Sequence, residues 1–328
     1  MPPIGPIYPP VLSWRFTPWV SARRGPPSDL VVPPVRLSVL IPNLHSPRIG
    51  ETVAAALAQD GVDEPWEVVV VGRDRYGLVP DHPRVRFIET ERDYNPSEAR
   101  NRAIAEARGE TVLFLDSDCV PEPDWMAKIL ATHEAGHPIV GGALTFDRDG
   151  YWSVADNISA AHGFLPSTPA GRPAGFHLCA ANLCLDKSLL NQVGGFDEQL
   201  VCGEDFDLMM RLGAAGYPMY FEPAARAAHR HVRTSFSRFL SHAGAWAPYS
   251  VHVRRRHAGT LNTPWVMNSA LSLRLLSPAI ALWVTFGIWR RHPELLRDVL
   301  TFPAVVVAKF IWCWAAARGL SHPPEGVA

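Results

Sequence analysis

The sequence predicts an α/β fold in which a mixed sheet is flanked by helices and followed by a helical extension. Three observations support this fold class. Short apolar runs alternate with helical patterns over residues 35–120. The apolar run at 111–115 is followed directly by two aspartates spaced Asp-x-Asp. The last third of the chain contains a basic segment and two long apolar stretches.

The composition limits the class of protein. With 328 residues, 47% of them hydrophobic, and a net charge of -1, the chain can bury a substantial core and is not a globally basic nucleic-acid binder. Its five cysteines include no Cys-x-x-Cys pair, which favours reduced thiols in the cytosol over a disulfide scaffold or a zinc ribbon. Residues 1–34 carry repeated prolines and scattered aromatic residues, and we expect an extended, poorly ordered arm.

The predicted elements follow one another in βαβ order. Strands are expected over 36–42, 66–71, 85–88 and 111–115, with helices over 50–59 and 97–108 between them. Ser97 is expected to cap the second helix and Gly109 to end it. Later elements are a helix at 124–135, strands at 139–146 and 179–185, a helix at 204–216 and a strand at 217–221. This alternation indicates a parallel sheet over the first half of the fold.

Asp116 and Asp118 are the first candidate functional residues. They are predicted to lie at the C-terminal end of a buried parallel strand, where open α/β sheets bind their ligands. Two carboxylates separated by one residue can share a divalent cation or a cation-bridged diphosphate. Acids after a strand also occur as helix caps, so the pair by itself does not decide between these two roles.

Five motifs in a consistent order resemble those of a family 2 glycosyltransferase of the GT-A fold. The resemblance covers about residues 36–232 and is carried by Val39-Leu-Ile-Pro42, Ala99-Arg-Asn101, Gly109 to Asp118, Gly194-Gly-Phe-Asp197, and Gly203-Glu-Asp205 with Arg211, Gly216 and His229. It implies a Rossmann-like nucleotide-binding domain over 35–232 and a nucleotide-sugar donor. Because the Gln-x-x-Arg-Trp signature of processive synthases is missing from the sequence, the resemblance implies transfer of one sugar to an acceptor hydroxyl.

The resemblance also implies roles for the acids and the histidine. Asp118 would bind a divalent cation, Mg²⁺ or Mn²⁺, with help from Asp116 and His229. Asp205, preceded by Glu204 at the start of a helix, would be the general base of an inverting transfer. The alternative for both of these acids is that they only stabilise the helix N-terminus. For His229 the alternatives are metal contact and a packed or surface histidine, with His231 as the substitute if the register shifts.

The remaining site assignments concern the two substrates. The resemblance places Arg100, Pro42 and Asp74 at the donor, together with Asp116, and Asn182 at the acceptor. The sequence departs from the family pattern at Gly72, where relatives carry an aspartate that holds the nucleobase, and at Leu44-His45, where an aromatic residue and asparagine are expected. These departures leave the identity of the donor's nucleobase open. They also support the alternative of a catalytically inactive relative that binds nucleotide or glycan.

The segment 233–328 is predicted to be a basic and apolar helical extension. No acid occurs between Glu222 and Glu294 while arginines accumulate, which suggests an anionic neighbour. The part at 236–257 resembles a basic helical segment in glycosyltransferases of mycofactocin maturation. Because no nucleic-acid-binding module accompanies the arginines, we expect no nucleic-acid partner.

The apolar stretches at 275–289 and 299–317 are interrupted by proline or lysine. Each is short for a membrane span, which needs about 20 apolar residues. Flanking arginines and tryptophans suit helices that lie in a membrane interface, and the alternative is a soluble hairpin that covers the catalytic domain. We therefore expect peripheral attachment at the cytoplasmic face of the cell membrane, and a glycan, lipid-linked or peptide acceptor.

Overall fold

The computed structural model describes residues 34–171, 177–230, 233–261 and 263–322. The predicted arm, apart from Pro34, and the substitute ligand His231 lie outside the described residues. Within them, the strands are β1 (Leu37–Leu44), β2 (Trp66–Arg73), β3 (Val85–Glu89), β4 (Thr111–Leu115), β5 (Cys119–Pro121), β6 (Ile139–Thr145), β7 (Asn182–Asp186) and β8 (Met219–His229). They form one sheet in the order β3-β2-β1-β4-β7-β6-β8-β5.

Helices cover the sheet and continue beyond it. In the described residues the α-helices are α1 (Ile49–Leu57), α2 (Pro96–Glu106), α3 (Trp125–Glu134), α4 (Tyr151–Ala161), α5 (Lys187–Val193), α6 (Glu204–Ala214), α7 (Phe236–Ala245), α8 (Ala247–Arg256), α9 (Ala270–Arg291) and α10 (Phe302–Ser321). Short 3₁₀ helices occur at His162–Phe164, Trp265–Asn268 and Pro293–Thr301. The last two flank α9.

The sheet is parallel in its first half and mixed in its second half, as predicted. β1 pairs in parallel with β2 and β4, and β2 pairs in parallel with β3. β7 then pairs antiparallel to both β4 and β6. The central strands are buried on both faces, so successive residues of β2 such as Val68 and Val69 enter different core clusters. This two-sided burial explains why these strands read as continuous apolar runs.

Several boundaries differ from the sequence-based expectation. Asn95, not Ser97, caps α2: its side chain accepts from the Glu98 backbone N–H, and Glu98 returns a bond to the Asn95 N–H. This capping box leaves the Ser97 hydroxyl to donate to the Leu200 carbonyl at 2.7 Å. The strand expected from residue 179 begins at 182, and β8 extends to residue 229.

Helices α4 and α5 were not predicted from the sequence. In α4 the buried residues include Asp156, Asn157 and Ser159 beside the apolar Val154, Ala155 and Ile158, so polar side chains interrupt the apolar stripe that marks an amphipathic helix. These polar groups are tolerated because side chains from later segments bond to them. The polar residues on the buried side therefore weaken the helical pattern in the sequence.

The C-terminal helices pack onto the rest of the fold through α10. This helix contacts α4, α7 and α8, and also packs along α9. Two helical segments, Ala270–Arg291 and Pro293–Ser321, are long and apolar enough to cross a membrane by length and composition. The structure therefore contains the helical extension that the sequence predicts.

Candidate active site

The turn that carries the Asp-x-Asp pair is fixed by its backbone from two sides. The carbonyl of Ser117 accepts hydrogen bonds from Ser46 Oγ at 3.0 Å and Thr52 Oγ1 at 3.1 Å. The Arg230 N–H donates to the Asp118 carbonyl at 2.7 Å. Both anchors come from distant parts of the chain, the start of α1 and the end of β8. The two carboxylates thus leave a turn whose position is set by the fold.

Arg100 links the Asp-x-Asp turn to the acids of α6. This arginine lies on α2, is buried, and donates to Asp116 Oδ1 at 2.6 Å and to Glu204 Oε1 at 2.5 Å. Burial lowers the pKa of its guanidinium, but the Asp116 and Glu204 carboxylates outweigh that effect and the net pKa is raised. The guanidinium therefore stays charged and holds the two acidic segments together.

Asp205 and Glu204 begin α6 in different environments. The Asp205 carboxylate accepts the Phe206 N–H at 2.7 Å and the Ala180 N–H at 3.3 Å. Burial raises the pKa of both carboxyl groups, and the charge of Arg100 opposes that rise. Because Glu204 is bound directly to Arg100, it acts in the ion-pair network as well as at the helix N-terminus. A carboxylate of raised pKa is the stronger base, which suits the role expected of Asp205.

His229 and Asp118 meet where β5 and β8 pair. His229 Nε2 lies 3.7 Å from Asp118 Oδ1, and with Cys119 Sγ the possible ligand atoms lie within 4.8 Å of one another. His229 Nδ1 contacts Asn157 Oδ1 at 3.0 Å. Since an amide oxygen only accepts, this contact assigns a proton to Nδ1, so in the neutral imidazole the lone pair is on Nε2, the nitrogen nearer Asp118.

The donor set fits a divalent cation. A carboxylate and a neutral imidazole suit Mn²⁺, whereas Mg²⁺ prefers oxygen ligands alone. Burial raises the pKa of the Cys119 thiol well above its ordinary value, with Asp118 adding to the rise, and Mn²⁺ and Mg²⁺ favour oxygen or imidazole ligands over sulfur. Asp118 and His229 would therefore hold the cation. Asp116 has one oxygen bound to Arg100.

The expected nucleobase end of the site is built differently from the family pattern. Gly72 has a φ of +135°, and a Cβ at this position would lie 1.9 Å from the carbonyl oxygen of Asn43. An aspartate therefore requires a different backbone here. The Asp74 carboxylate accepts the Val79 N–H at 2.7 Å and the Tyr76 N–H at 3.3 Å, so it fixes its own loop. Its donor-binding role stays a prediction.

Two further residues join the loops at this edge. His45, in the left-handed region with a φ of 54°, accepts the Arg75 N–H at Nδ1 at 3.1 Å. Pro42, predicted at the donor, is half-buried near the end of β1 and pairs with Val71 of β2. The loops after β1 and β2 are thereby held side by side at the carboxyl ends of parallel strands, where the sequence places the donor.

Asn182 requires a correction. It was predicted to contact the acceptor, but its side chain is buried inside the sheet. Its Oδ1 accepts Trp125 Nε1–H at 2.7 Å, and its Nδ2 donates to the Ala143 and Ala225 carbonyls at 3.0 Å. These bonds span the irregular pairing of β6 with β8. Asn182 supports the sheet and offers no group to an acceptor.

Sequence reasoning missed Asn157, which touches the proposed metal ligand His229. The two residues are 72 positions apart, and α4 was not predicted as a helix. A buried asparagine has no local signature of such a role. The signal that could have found it is a neutral amide on the inner face of a helix, and only the folded chain identifies that face.

Comparison with known proteins identifies the family of the chain. The chain matches the model described as glycosyl transferase family 2 over residues 38–171, and the model described as glycosyl transferase family group 2 over residues 111–319. The second match covers more than half of the chain. The chain belongs to the family 2 glycosyltransferases, as the motifs predicted.

Individual relatives cover much of the chain. It is 25% identical over 83% of its length to the O-antigen biosynthesis protein RfbC of Myxococcus xanthus, and it spans 23% of that protein. It is 30% identical over 53% of its length to the pre-mycofactocin glycosyltransferase of Mycobacterium tuberculosis, and spans 39% of it. The chain thus spans well under half the length of these two curated relatives.

A solved structure shows the same fold. The mannosyltransferase PcManGT from Pyrobaculum calidifontis, in complex with GDP-Man and Mn²⁺, aligns with a TM-score of 0.57. The alignment covers 89% of this chain and 90% of the mannosyltransferase at 18% identity. The predicted GT-A fold is therefore confirmed.

Proposed function

We propose that the protein is a metal-dependent, inverting glycosyltransferase that moves one sugar from a nucleotide-sugar donor to an acceptor hydroxyl. One observation carries this proposal: Arg100 joins Asp116, next to the candidate cation ligands Asp118 and His229, to Glu204, next to the buried Asp205. Transfer from a nucleotide sugar needs a neutralised leaving group and a base for the acceptor. Groups suited to both tasks therefore adjoin the two carboxylates that Arg100 joins, and this proximity supports the proposal.

The chain's own residues would divide the work as follows. A bound Mn²⁺ or Mg²⁺ would neutralise charge on the leaving diphosphate. Asp118 and His229 would hold that cation, while Asp116 would orient the donor. Asp205 would accept the acceptor's proton at a carboxylate oxygen, and its raised pKa improves it as a base. A base opposite the leaving group implies inversion. The mannosyltransferase crystallised with GDP-Man and Mn²⁺ supports the donor class.

The second candidate function is binding of a nucleotide or glycan without turnover. Gly72 favours it, because the close approach of Asn43 leaves no space for the carboxylate that would hold a nucleobase.

The acceptor of the proposed transferase would be a glycan, a lipid-linked saccharide or a peptide. The proposed place of action is the cytoplasmic face of the cell membrane.

Replacing Asp118 by Ala and Asp205 by Asn separates the two halves of the proposal. Thermal shifts would be measured with UDP-, GDP- and dTDP-sugars, with and without Mn²⁺. In the wild type, we expect a shift that needs both Mn²⁺ and one nucleotide sugar. Asp118→Ala should lose that shift, whereas Asp205→Asn should keep it and lose transfer by about 10²- to 10⁴-fold.

Asp124→Asn is the matched control, since Asp124 is an exposed acid that bonds Lys128 at 2.7 Å. It should change neither the shift nor the transfer rate. If no nucleotide sugar produces a shift in the wild type, the transferase proposal fails. The second candidate function, binding of another nucleotide or of a glycan without turnover, then replaces it. Transfer by Asp205→Asn at the wild-type rate would remove Asp205 as the base.

A further inference from the structure

Helix α9 has its large apolar residues on the outside. Its buried residues, on the side that packs on α10, are Leu273, Ser277, Ala281, Thr285, Ile288 and Trp289, of which three are small. The outward face carries Leu271, Leu275, Leu282, Trp283 and Phe286. Trp283 is 78% exposed and Leu275 is 69% exposed. A helix of a water-soluble protein normally shows the reverse arrangement, with large apolar residues inward.

This exposed surface is concentrated in one part of the molecule. Of the twenty large apolar side chains that are exposed in the described residues, thirteen lie between Trp265 and Trp314. Besides the five named above and Leu276, which make six on α9, they include Leu300, which is 81% exposed, and Phe310. Exposed apolar patches of this kind mark sites that contact a protein or a membrane. We call the surface formed by the exposed residues of 265–314 the α9 face.

The charged residues of helix α9 itself are all cationic. No acid occurs between residues 265 and 292, while Arg274 lies near one end of α9 and Arg290 and Arg291 at the other. The nearest acids, Glu294 and Asp298, are engaged within the chain: Glu294 by the Ser167 hydroxyl and Asp298 by arginines. The α9 face is thus apolar along its length and cationic at its ends.

A depression of about 460 Å³ lies at the cationic end of this face. It is lined by Trp283, Val284, Phe286, Gly287, Arg290 and Arg291. Apolar walls with two guanidinium groups beside them fit an acyl chain next to a phosphate. Tryptophan and arginine are also the residues that favour the boundary between headgroups and acyl chains.

We propose that the α9 face lies flat in one leaflet of an anionic lipid bilayer. Although α9 as a whole is long enough to cross a membrane, its uncharged stretch between Arg274 and Arg290 covers 15 residues, or about 22 Å at 1.5 Å per residue, which is shorter than a hydrocarbon core of about 30 Å. Arg274 and Arg290 bound it at the two ends. The opposite side of α9 is packed against α10, which in turn contacts α4, α7 and α8. A flat helix therefore buries the outward residues without separating these contacts.

The same charges disfavour a second copy of the chain as the occupant. In a two-fold symmetric contact through α9, the same patch would face itself. Arg274, Arg290 and Arg291 of the two copies would then be brought together with no acid on either helix. An anionic headgroup layer instead supplies the opposite charge.

Co-sedimentation with vesicles of phosphatidylcholine alone, or with one quarter phosphatidylglycerol, tests this proposal without any use of transferase activity. We expect binding to the anionic vesicles that weakens as salt is raised. Phe286→Glu should weaken it by about tenfold or more, because an apolar group is lost and a like charge is added. Phe87→Glu, at an exposed phenylalanine on the edge strand β3, is the matched control and should bind as the wild type does.

Insertion of Trp283 gives a second readout. Bromine atoms near the headgroup end of the acyl chains should quench fluorescence in the wild type, and Trp283→Phe should lose part of that quenching. Equal binding by wild type and Phe286→Glu would overturn the proposal. So would a dimer in lipid-free solution that Phe286→Glu dissociates, or protein that stays in membranes after alkaline carbonate extraction. Circular dichroism would confirm that both glutamate variants are folded.

Discussion

Asn157 shows how a neutral side chain can set the chemistry of a site from behind it. Its Oδ1 contacts His229 Nδ1, and its Nδ2 donates to the Ser153 carbonyl at 3.1 Å. Because these two bonds fix the amide, the neutral imidazole has its lone pair on Nε2, the nitrogen nearer Asp118. Partners of metal-binding histidines act in this way by fixing ring orientation and tautomer.

Replacing Asn157 by Leu should therefore weaken Mn²⁺ binding without removing a ligand. We expect the Mn²⁺ concentration for half-maximal thermal shift, measured with a bound nucleotide, to rise about 10- to 100-fold. Asn157→Asp keeps an acceptor oxygen and should restore most of the affinity. Equal losses in both variants, with a lowered Tm, would mean that Asn157 acts only in packing.

At the level of elements, α10 is fixed to α4 by a buried charge. Lys309 Nζ donates to the Ser159 carbonyl at 2.6 Å, near the C-terminal end of α4. Burial lowers the pKa of this lysine from 10.5 to about 8. Between these two values the unfolded chain binds a proton that the folded chain has released. The contribution of Lys309 to stability therefore rises with pH across this window.

Lys309→Met removes this contribution, and we expect its pH dependence to differ from that of the wild type. From pH 8 to 10 the free energy of unfolding of the wild type should gain relative to the variant, at up to about 1.4 kcal/mol per pH unit. The two proteins are compared with each other because both also contain buried thiols. Burial raises the pKa of the Cys202 thiol to about 12, so the contribution of such thiols to stability falls as the pH rises. Urea midpoints at pH 8, 9 and 10 measure it.

The partly exposed Lys128 supplies the control. Lys128→Met should follow the wild-type profile, since its ammonium is on the surface, where it pairs with Asp124. Parallel profiles for Lys309→Met and the wild type would show that Lys309 keeps its ordinary proton affinity when folded.

At the scale of the whole molecule, acids in and before α6 partly neutralise the basic segment between Glu222 and Glu294, which has no acid of its own. Asp207 on α6 is fully buried and accepts from His257 Nε2 at 2.8 Å and Arg211 Nε at 2.7 Å, with Arg256 Nη1 at 3.3 Å. Arg256 also binds Asp197 at 2.5 Å. The sequence suggested an external anion for these arginines. In the structure several of them pair with acids of the same chain. The arginines around the α9 face are the ones that would contact anionic lipid headgroups in the proposal above.

Asp207→Asn should loosen the contact between α6 and α8. Removing one partner of a buried ion pair costs about 3–5 kcal/mol because the remaining charges stay partly buried. Urea unfolding followed by tryptophan fluorescence measures the loss. Lys128→Gln, at a surface pair, should cost less than about 1 kcal/mol. A loss that small for Asp207→Asn would mean that this cluster does not hold the helical extension in place.

The sequence by itself determined the parallel half of the sheet, the Asp-x-Asp turn and the family. These features are local in the sequence. Runs such as 111–115 are continuously apolar because the strands they form are buried on both faces, and each family motif occupies a short segment. The sequence also indicated that the apolar C-terminal stretches form helices.

Only the tertiary structure decided how side chains from distant segments are used. It moved Asn182 from the acceptor side into the sheet and placed Asn157 behind His229. It also closed the position at Gly72 against Asn43 and turned the large residues of α9 outward. Each outcome depends on contacts between residues far apart in the chain, and neither periodicity nor motif spacing encodes such contacts.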